Sequence, residues 1–271
     1  MAEHAMEIVK QRRSVRTFDG NGITDEDRAK LDAYMKDIPN PFGIHVEFRF
    51  LDAKEHGLTS PVVNGSELYI GGKVKKGANA DVAFGYSFEA LVLCAQALGI
   101  GTVWIGGTMN RDAFEKAMEL GADEMMPCVT PVGYPAKKMS LREIAMRKGV
   151  GADKREAAEV LFFENTFDHP LKPETGSFTE RVLEMIRWAP SAVNKQPWRV
   201  VVSGNAFHFY EKKTKGYVSE ATGDLQKVDV GIALYHFAYA AEAETRAVSF
   251  EISDPEIAVP EDVEYIASYR V

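Results

Sequence analysis

Residues 81–98, DVAFGYSFEALVLCAQAL, are apolar on almost every face that a helix of this length would present. A surface helix keeps one polar face, so a helix hydrophobic all round has to be enclosed. Lipid could enclose it, but the most apolar segments, around 86–98 and 230–241, are too short to span a bilayer and are interrupted by Glu89 and His236. The 81–98 segment is therefore expected at the centre of a soluble fold, with Gly99 ending the helix at positive φ. A chain of 271 residues is long enough to build layers around it.

The pattern recurs. GYSFEALVLCAQALGIGTVW (85–104) lies over GIALYHFAYAAEAETRAVSF (231–250) with Gly on Gly, Ala95 on Ala241 and Trp104 on Phe250. The match is in residue class and spacing and reads as a divergent duplication. Around the first copy the sequence predicts helices at 3–12 and 24–37, the latter N-capped by Thr24, and strands at 44–51 and 67–74. A strand at 102–106, a helix at 110–120 and a strand at 127–133 follow. Around the second copy come a helix at 178–188, a strand at 198–203 and a Gly204-Asn205 turn into a strand at 207–211. A polar linker, 136–158, separates them. The chain thus divides into halves at 1–158 and 159–271, expected to form one compact α+β unit with mainly antiparallel sheets.

Composition narrows the function. A net charge of −8 argues against a general nucleic-acid binder, which needs concentrated positive charge. The N-terminal stretch carries no apolar signal region, so a cytoplasmic protein without a membrane partner is expected. Cys94 and Cys128 lie far apart in apolar surroundings and read as reduced, buried thiols. No GxSxG, HExxH or P-loop lysine motif is present. GIGTVWIGG (99–107) fails as a dinucleotide fingerprint, because Trp104 stands at the sixth position and a helix precedes the glycines.

Three other segments carry chemistry. QRRSVRTFDG gathers Arg12, Arg13, Ser14 and Arg16 at a helix end, the forked charged donors and short hydroxyl that suit a phosphomonoester. TVWIGG ends in Gly106-Gly107, where backbone can approach a flat ligand. PSAVNKQPW (190–198) packs Ser191, Asn194 and Gln196 between two prolines, more polar groups than a helix-to-strand turn requires.

Together with VGYP (132–135), these motifs resemble the FMN-dependent nitroreductase superfamily over nearly the whole chain. The order is unusual. PSAVNKQPW follows VGYP, the place after the second helix reads DIPNPFGIHVEF, and the second half lacks an RRSxR motif. The chain is similar to the fused, permuted branch of that superfamily. The resemblance implies a nitroreductase-like α-β-α sandwich, a pseudo-dimer of two halves in one chain, with one FMN site shared between them and the opposite site without FMN. A monomer is then an allowed state, with weak further association left open.

It also implies residue roles. Arg12, Arg13 and Ser14 would take the phosphate and ribityl end, with Arg16 at the pyrimidine edge of the ring as electrostatic support. Ile105, Gly106 and Gly107 would lie along the ring, with the Gly107 backbone as further support, and Pro190, Ser191, Ala192, Asn194 and Gln196 would come from the second half. The basic pair expected after VGYP would be Lys154-Arg155, with Lys137 and Arg142 as rivals. Phe42, His45 and Tyr69 are candidates for the pocket lining. The implied activity is an oxidoreductase with NADH or NADPH as donor and an electron-poor small molecule, nitroaromatic or quinone-like, as acceptor. Flavin modification, reductive dehalogenation and non-catalytic FMN binding stay open as alternatives.

Overall fold

A computed structural model describes residues 2–271. Its helices are α1 (Ala2–Gln11), α2 (Asp25–Met35), α3 (Ala53–His56), α4 (Ala80–Ala97), α5 (Arg111–Ala117), α6 (Leu141–Gly149), α7 (Ala158–Leu161), α8 (Phe178–Arg187) and α9 (Leu225–Ala243). Thr24 caps α2, accepting from the Asp27 N–H at 3.1 Å, and Gly99 follows α4 with φ 74°.

The first sheet pairs β1 (Val46–Asp52) with β2 (Leu68–Lys75), and β2 with the short β3 (Glu124–Met125) and β4 (Val129–Pro131), all antiparallel. Successive side chains on a strand face opposite ways. Phe48, Ile70 and Val74 therefore pack with α2 and α4, whereas Leu51 and Tyr69 meet Phe114 and Met118 on the other face.

In the second half come β5 (Phe162–Glu164), β6 (Trp198–Ser203), β7 (Ala206–Lys212), a hairpin of β8 (Val218–Ser219) and β9 (Gly223–Asp224), then β10 (Ser249–Glu251) and β11 (Val263–Arg270). The second sheet runs β10-β11-β7-β6-β5, and only its β5–β6 pair is parallel. Val200, Val202, Phe207 and Phe209 face α8 and α9, and Ala5, Ile8 and Val9 of α1 join this core from the far end of the sequence.

One expected strand does not form. Residues 102–106 make only isolated bridges, from Thr102 to Ser14 and from Ile105 to Val129. With its partners drawn from separate segments, the stretch bridges between elements and joins no ladder.

The two apolar helices lie against each other, and every residue of α4 from Val82 to Leu93 is buried. Their crossing is reciprocal. A side chain on Gly85 would strike the Val228 carbonyl of α9, and one on Gly231 would strike the Val82 carbonyl of α4. The two glycines that overlay in the sequence repeat thus perform the same task from opposite sides. Among the described residues no helix is long and apolar enough to cross a membrane.

Candidate functional site

Beyond α1 the chain runs extended, and the Val15 N–H donates to the Thr102 carbonyl at 2.8 Å. Alternation along this segment decides which arginines face inward. Arg12, Ser14 and Arg16 line a cavity of about 440 Å³, while Val15 is buried under Gly101. Arg13 departs from the expectation. Its Nη1 donates to the fully buried Glu143 of α6 at 2.8 Å, so it braces the fold outside the cavity.

Ile105, Gly106 and Gly107 form a second wall with Trp104. Arg111 clamps this turn, donating from Nη2 to the Gly106 carbonyl at 2.5 Å and from Nη1 to that of Met126 at 2.9 Å. A side chain at Gly107 would meet nothing within 4 Å, which leaves the backbone there approachable.

The third wall is the loop Pro190 to Asn194. Val193, Asn194 and Gln196 all take positive φ, at 43°, 59° and 49°. For a β-branched valine that conformation is strained, and such strain persists only where surrounding contacts enforce it. Here they do. Ser191 Oγ accepts from the Gln196 N–H at 2.9 Å, and Asn194 Nδ2 donates to the carbonyls of Gly151 and Lys154 at 2.9 and 3.0 Å. The Ala192 N–H donates to both carboxyl oxygens of Asp229, at 3.0 and 3.1 Å.

Gln196 is a strut of this loop and does not face the cavity. Its side chain is buried, and Oε1 accepts from the Glu156 N–H at 3.0 Å. The basic pair also separates. Arg155 lines the cavity, its guanidinium 4.7 Å from the Trp188 ring centre, while the side chain of Lys154 is exposed and only its carbonyl ties the loop. Lys137 and Arg142 are exposed and lie outside the lining.

Electrostatics give the cavity its character. The Nε atoms of Arg12, Arg16 and Arg155 are buried without a hydrogen-bond partner. Burial holds the Arg12 pKa below its ordinary value, opposed by the charge of Glu89, and lowers that of Arg16 in the same way. Arg155 is brought down to about 10, by burial first and then by the nearby charge of Arg12. A guanidinium Nε buried without a partner is costly, and a bound anion offering several oxygens would offset that cost. Burial also raises the Asp229 carboxyl well above the usual carboxylate range and pushes the Cys128 thiol up to about 12.

Several lining residues escaped the sequence reading. Cys128, Tyr217, Leu225, Asp229 and Ile232 all border the cavity. Asp229 offered a signal, a carboxylate that interrupts the apolar run of α9 between Val228 and Val230. Tyr217 offered none beyond being the half-buried residue of an otherwise exposed stretch, 212–220, visible only in three dimensions.

The candidate linings Phe42, His45 and Tyr69 lie elsewhere. Tyr69 packs on Phe114 at 5.0 Å between ring centres, and His45 is exposed. Phe42 meets Phe250 edge to face at 4.9 Å. Phe250 is the residue that the sequence repeat aligns with Trp104.

Two antiparallel sheets around paired buried helices, with an arginine-bearing N-terminal segment and a Pro-Ser-Ala-Val-Asn loop facing one cavity, define a nitroreductase-superfamily fold. Residues 4–241 match the family described as "Putative TM nitroreductase", and the chain belongs to that family. The fold is shared with a "putative nitroreductase" from Thermotoga maritima MSB8, at TM-score 0.60 and 19% identity, over 98% of this chain and 93% of that one. A nitroreductase family protein from Clostridium difficile 630 aligns with 57% of this chain and 95% of its own, at TM-score 0.45 and 15% identity. An FMN-dependent nitroreductase from Clostridium difficile R20291 aligns with 53% of this chain and 95% of its own, at TM-score 0.42 and 18% identity. No curated protein matches the chain.

Proposed function

We propose that this chain is an FMN-dependent oxidoreductase with NADH or NADPH as electron donor and a small, electron-poor acceptor of the nitroaromatic or quinone type. The observation that carries the reading is the cluster of Arg12, which is buried, with Arg16 and Arg155, which are half-buried, whose Nε atoms lack partners in a cavity bounded by both halves of the chain. Together with Ser14 they suit a phosphomonoester, and the open backbone at Gly107 suits a flat ring. The residues present therefore fit FMN.

Arg12, Ser14 and Arg155 would hold the phosphate end. Arg16 would supply positive charge at the edge of the ring, and the loop from Pro190 to Asn194 would bound it from the second half. Bound FMN would supply two-electron chemistry that no side chain here performs. The chain's own contribution is to bind, orient and exclude water, with Asp229 and Asn194 holding the loop in its strained shape. The division into halves at 1–158 and 159–271, with one FMN per chain and a monomer as an allowed state, belongs to the same reading.

The test is to titrate the purified protein with FMN and then add NADH or NADPH anaerobically. A stoichiometry of one per chain with prompt loss of oxidised-flavin absorbance is expected. Absence of FMN binding would refute the reading, and binding without bleaching would restrict it to a flavin-binding protein.

A further inference from the structure

Behind the cavity wall lies a polar pair to which the proposed function assigns no part. Glu89 of α4 and His236 of α9 are fully buried, with His236 Nε2 and Glu89 Oε1 3.0 Å apart. The other imidazole nitrogen, Nδ1, lies 2.9 Å from the Met185 carbonyl. A carbonyl only accepts, so Nδ1 carries a hydrogen, and one further proton lies between Nε2 and Oε1. The remaining carboxyl oxygen, Oε2, accepts from the Trp104 indole N–H at 3.1 Å, and Trp104 lines the cavity. Buried polar networks of this kind specify one geometry when every member is satisfied, as every polar side-chain atom of the pair is here.

The pair also breaks the repeat. In the register that overlays Gly85 on Gly231, Glu89 falls on Tyr235 and His236 on Ala90. Neither member has a counterpart in that register, and the wall residue they support, Trp104, falls on Phe250, which has no N–H to anchor. Two apolar residues would fill the same volume without the cost of burying polar groups. The polar arrangement stands on the side of the molecule that holds the arginine cavity.

We infer that Glu89 and His236 are a positioning pair that fixes the Trp104 indole in the cavity wall and thereby sets the affinity of the cavity for flavin. The inference rests on the proposed FMN site.

The test separates geometry from charge. In Glu89→Gln the amide carbonyl can still accept from Trp104 and the amide N–H can donate to His236 Nε2, whereas Glu89→Leu removes both contacts. With tryptophan labelled by ¹⁵N, Trp104, Trp188 and Trp198 give three indole signals, and Trp104→Phe identifies that of Trp104. Glu89→Gln is expected to leave this signal near its parent position and the FMN Kd within about twofold, while Glu89→Leu shifts the signal and raises Kd about tenfold or more. Should Glu89→Leu fail to fold, Trp104→Phe, which keeps the pair and replaces the indole and its N–H with a smaller ring, is expected to weaken FMN binding comparably.

An unchanged signal and Kd in Glu89→Leu would overturn the inference. So would Glu89→Gln binding FMN as weakly as Glu89→Leu, because charge and not geometry would then be responsible. If the parent protein binds no FMN, the functional reading fails, and the indole signal of Glu89→Leu still decides whether the pair holds Trp104.

Discussion

Arg12 and Arg13 are neighbours with opposite fates. Arg12 reaches the cavity with a buried, unpartnered Nε, while Arg13 bonds Glu143 at 2.8 Å. Arg12→Ala is accordingly expected to weaken FMN binding by about 1.5–3 kcal/mol, the worth of a hydrogen bond to a charged group. Arg13→Ala should leave Kd nearly unchanged and lower Tm, since it strands a buried carboxylate; flavin titration and thermal unfolding of both variants check the contrast. The arginine cluster was legible in the sequence, but the inward set was not, because RRSVR was read as the end of a helix. An extended backbone turns alternate residues to opposite sides, and that single difference removes Arg13 from the site. Gln196 was misplaced for a related reason, since its polar side chain signals a constrained loop as readily as a contact to ligand. Both thiols are expected from the sequence to be buried; Cys94 is only half-buried, whereas Cys128 is buried. With its thiol pushed up to about 12 by burial, it should escape iodoacetamide at pH 8 in the folded protein and react once denaturant exposes it, as peptide mass spectrometry would show.

At the scale of elements, the β8–β9 hairpin has its base among carboxyl groups. The Asp224 N–H donates to Asp81 Oδ1 at 3.1 Å, burial pushes the Asp81 carboxyl up to about 6, and burial aided by the charge of Asp224 pushes Glu211 up to about 7. An acid whose pKa is raised by folding binds more protons folded than unfolded between its two pKa values. Stability from these two groups is therefore greatest below about pH 4, the ordinary unfolded carboxyl range, and falls as pH rises through 6 and 7. Glu211→Gln should raise Tm at pH 8 and have much less effect at pH 5, and melting curves at the two values test the sign. The hairpin itself is a surprise of the structure. Residues 213–224 carry no strong strand pattern, and their meaning comes from Gly216 and Tyr217, which reach the cavity from this stretch. The central helices were legible for the opposite reason, since a segment apolar on all faces has few places to go. Residues 102–106 were apolar enough to suggest a strand, yet strand formation depends on available neighbours, and theirs are scattered.

For the whole molecule, the crossing of α4 and α9 is the feature on which both halves depend. Adding one methyl group at Gly85 or at Gly231 brings it against a backbone carbonyl of the facing helix, which cannot rotate away. Gly85→Ala and Gly231→Ala should each destabilise by about 3 kcal/mol, at the upper end of the usual cost of overpacking, and by similar amounts. Denaturant unfolding of the two variants measures both values, and a large inequality would show that the crossing is not reciprocal in energy. The overlay of Gly85 on Gly231 is visible in the sequence, but the reason for that coincidence lies in the backbone contact, which no pattern of residue classes reveals. The same crossing has a consequence for dilution. Because both helices belong to one covalent chain, their encounter is intramolecular, and its effective concentration is set by the connecting segment and not by how much protein is present. The cavity should keep its flavin affinity from micromolar stocks down to the trace levels of a single-molecule assay, whereas a cavity assembled from two separate chains comes apart as its subunits are diluted.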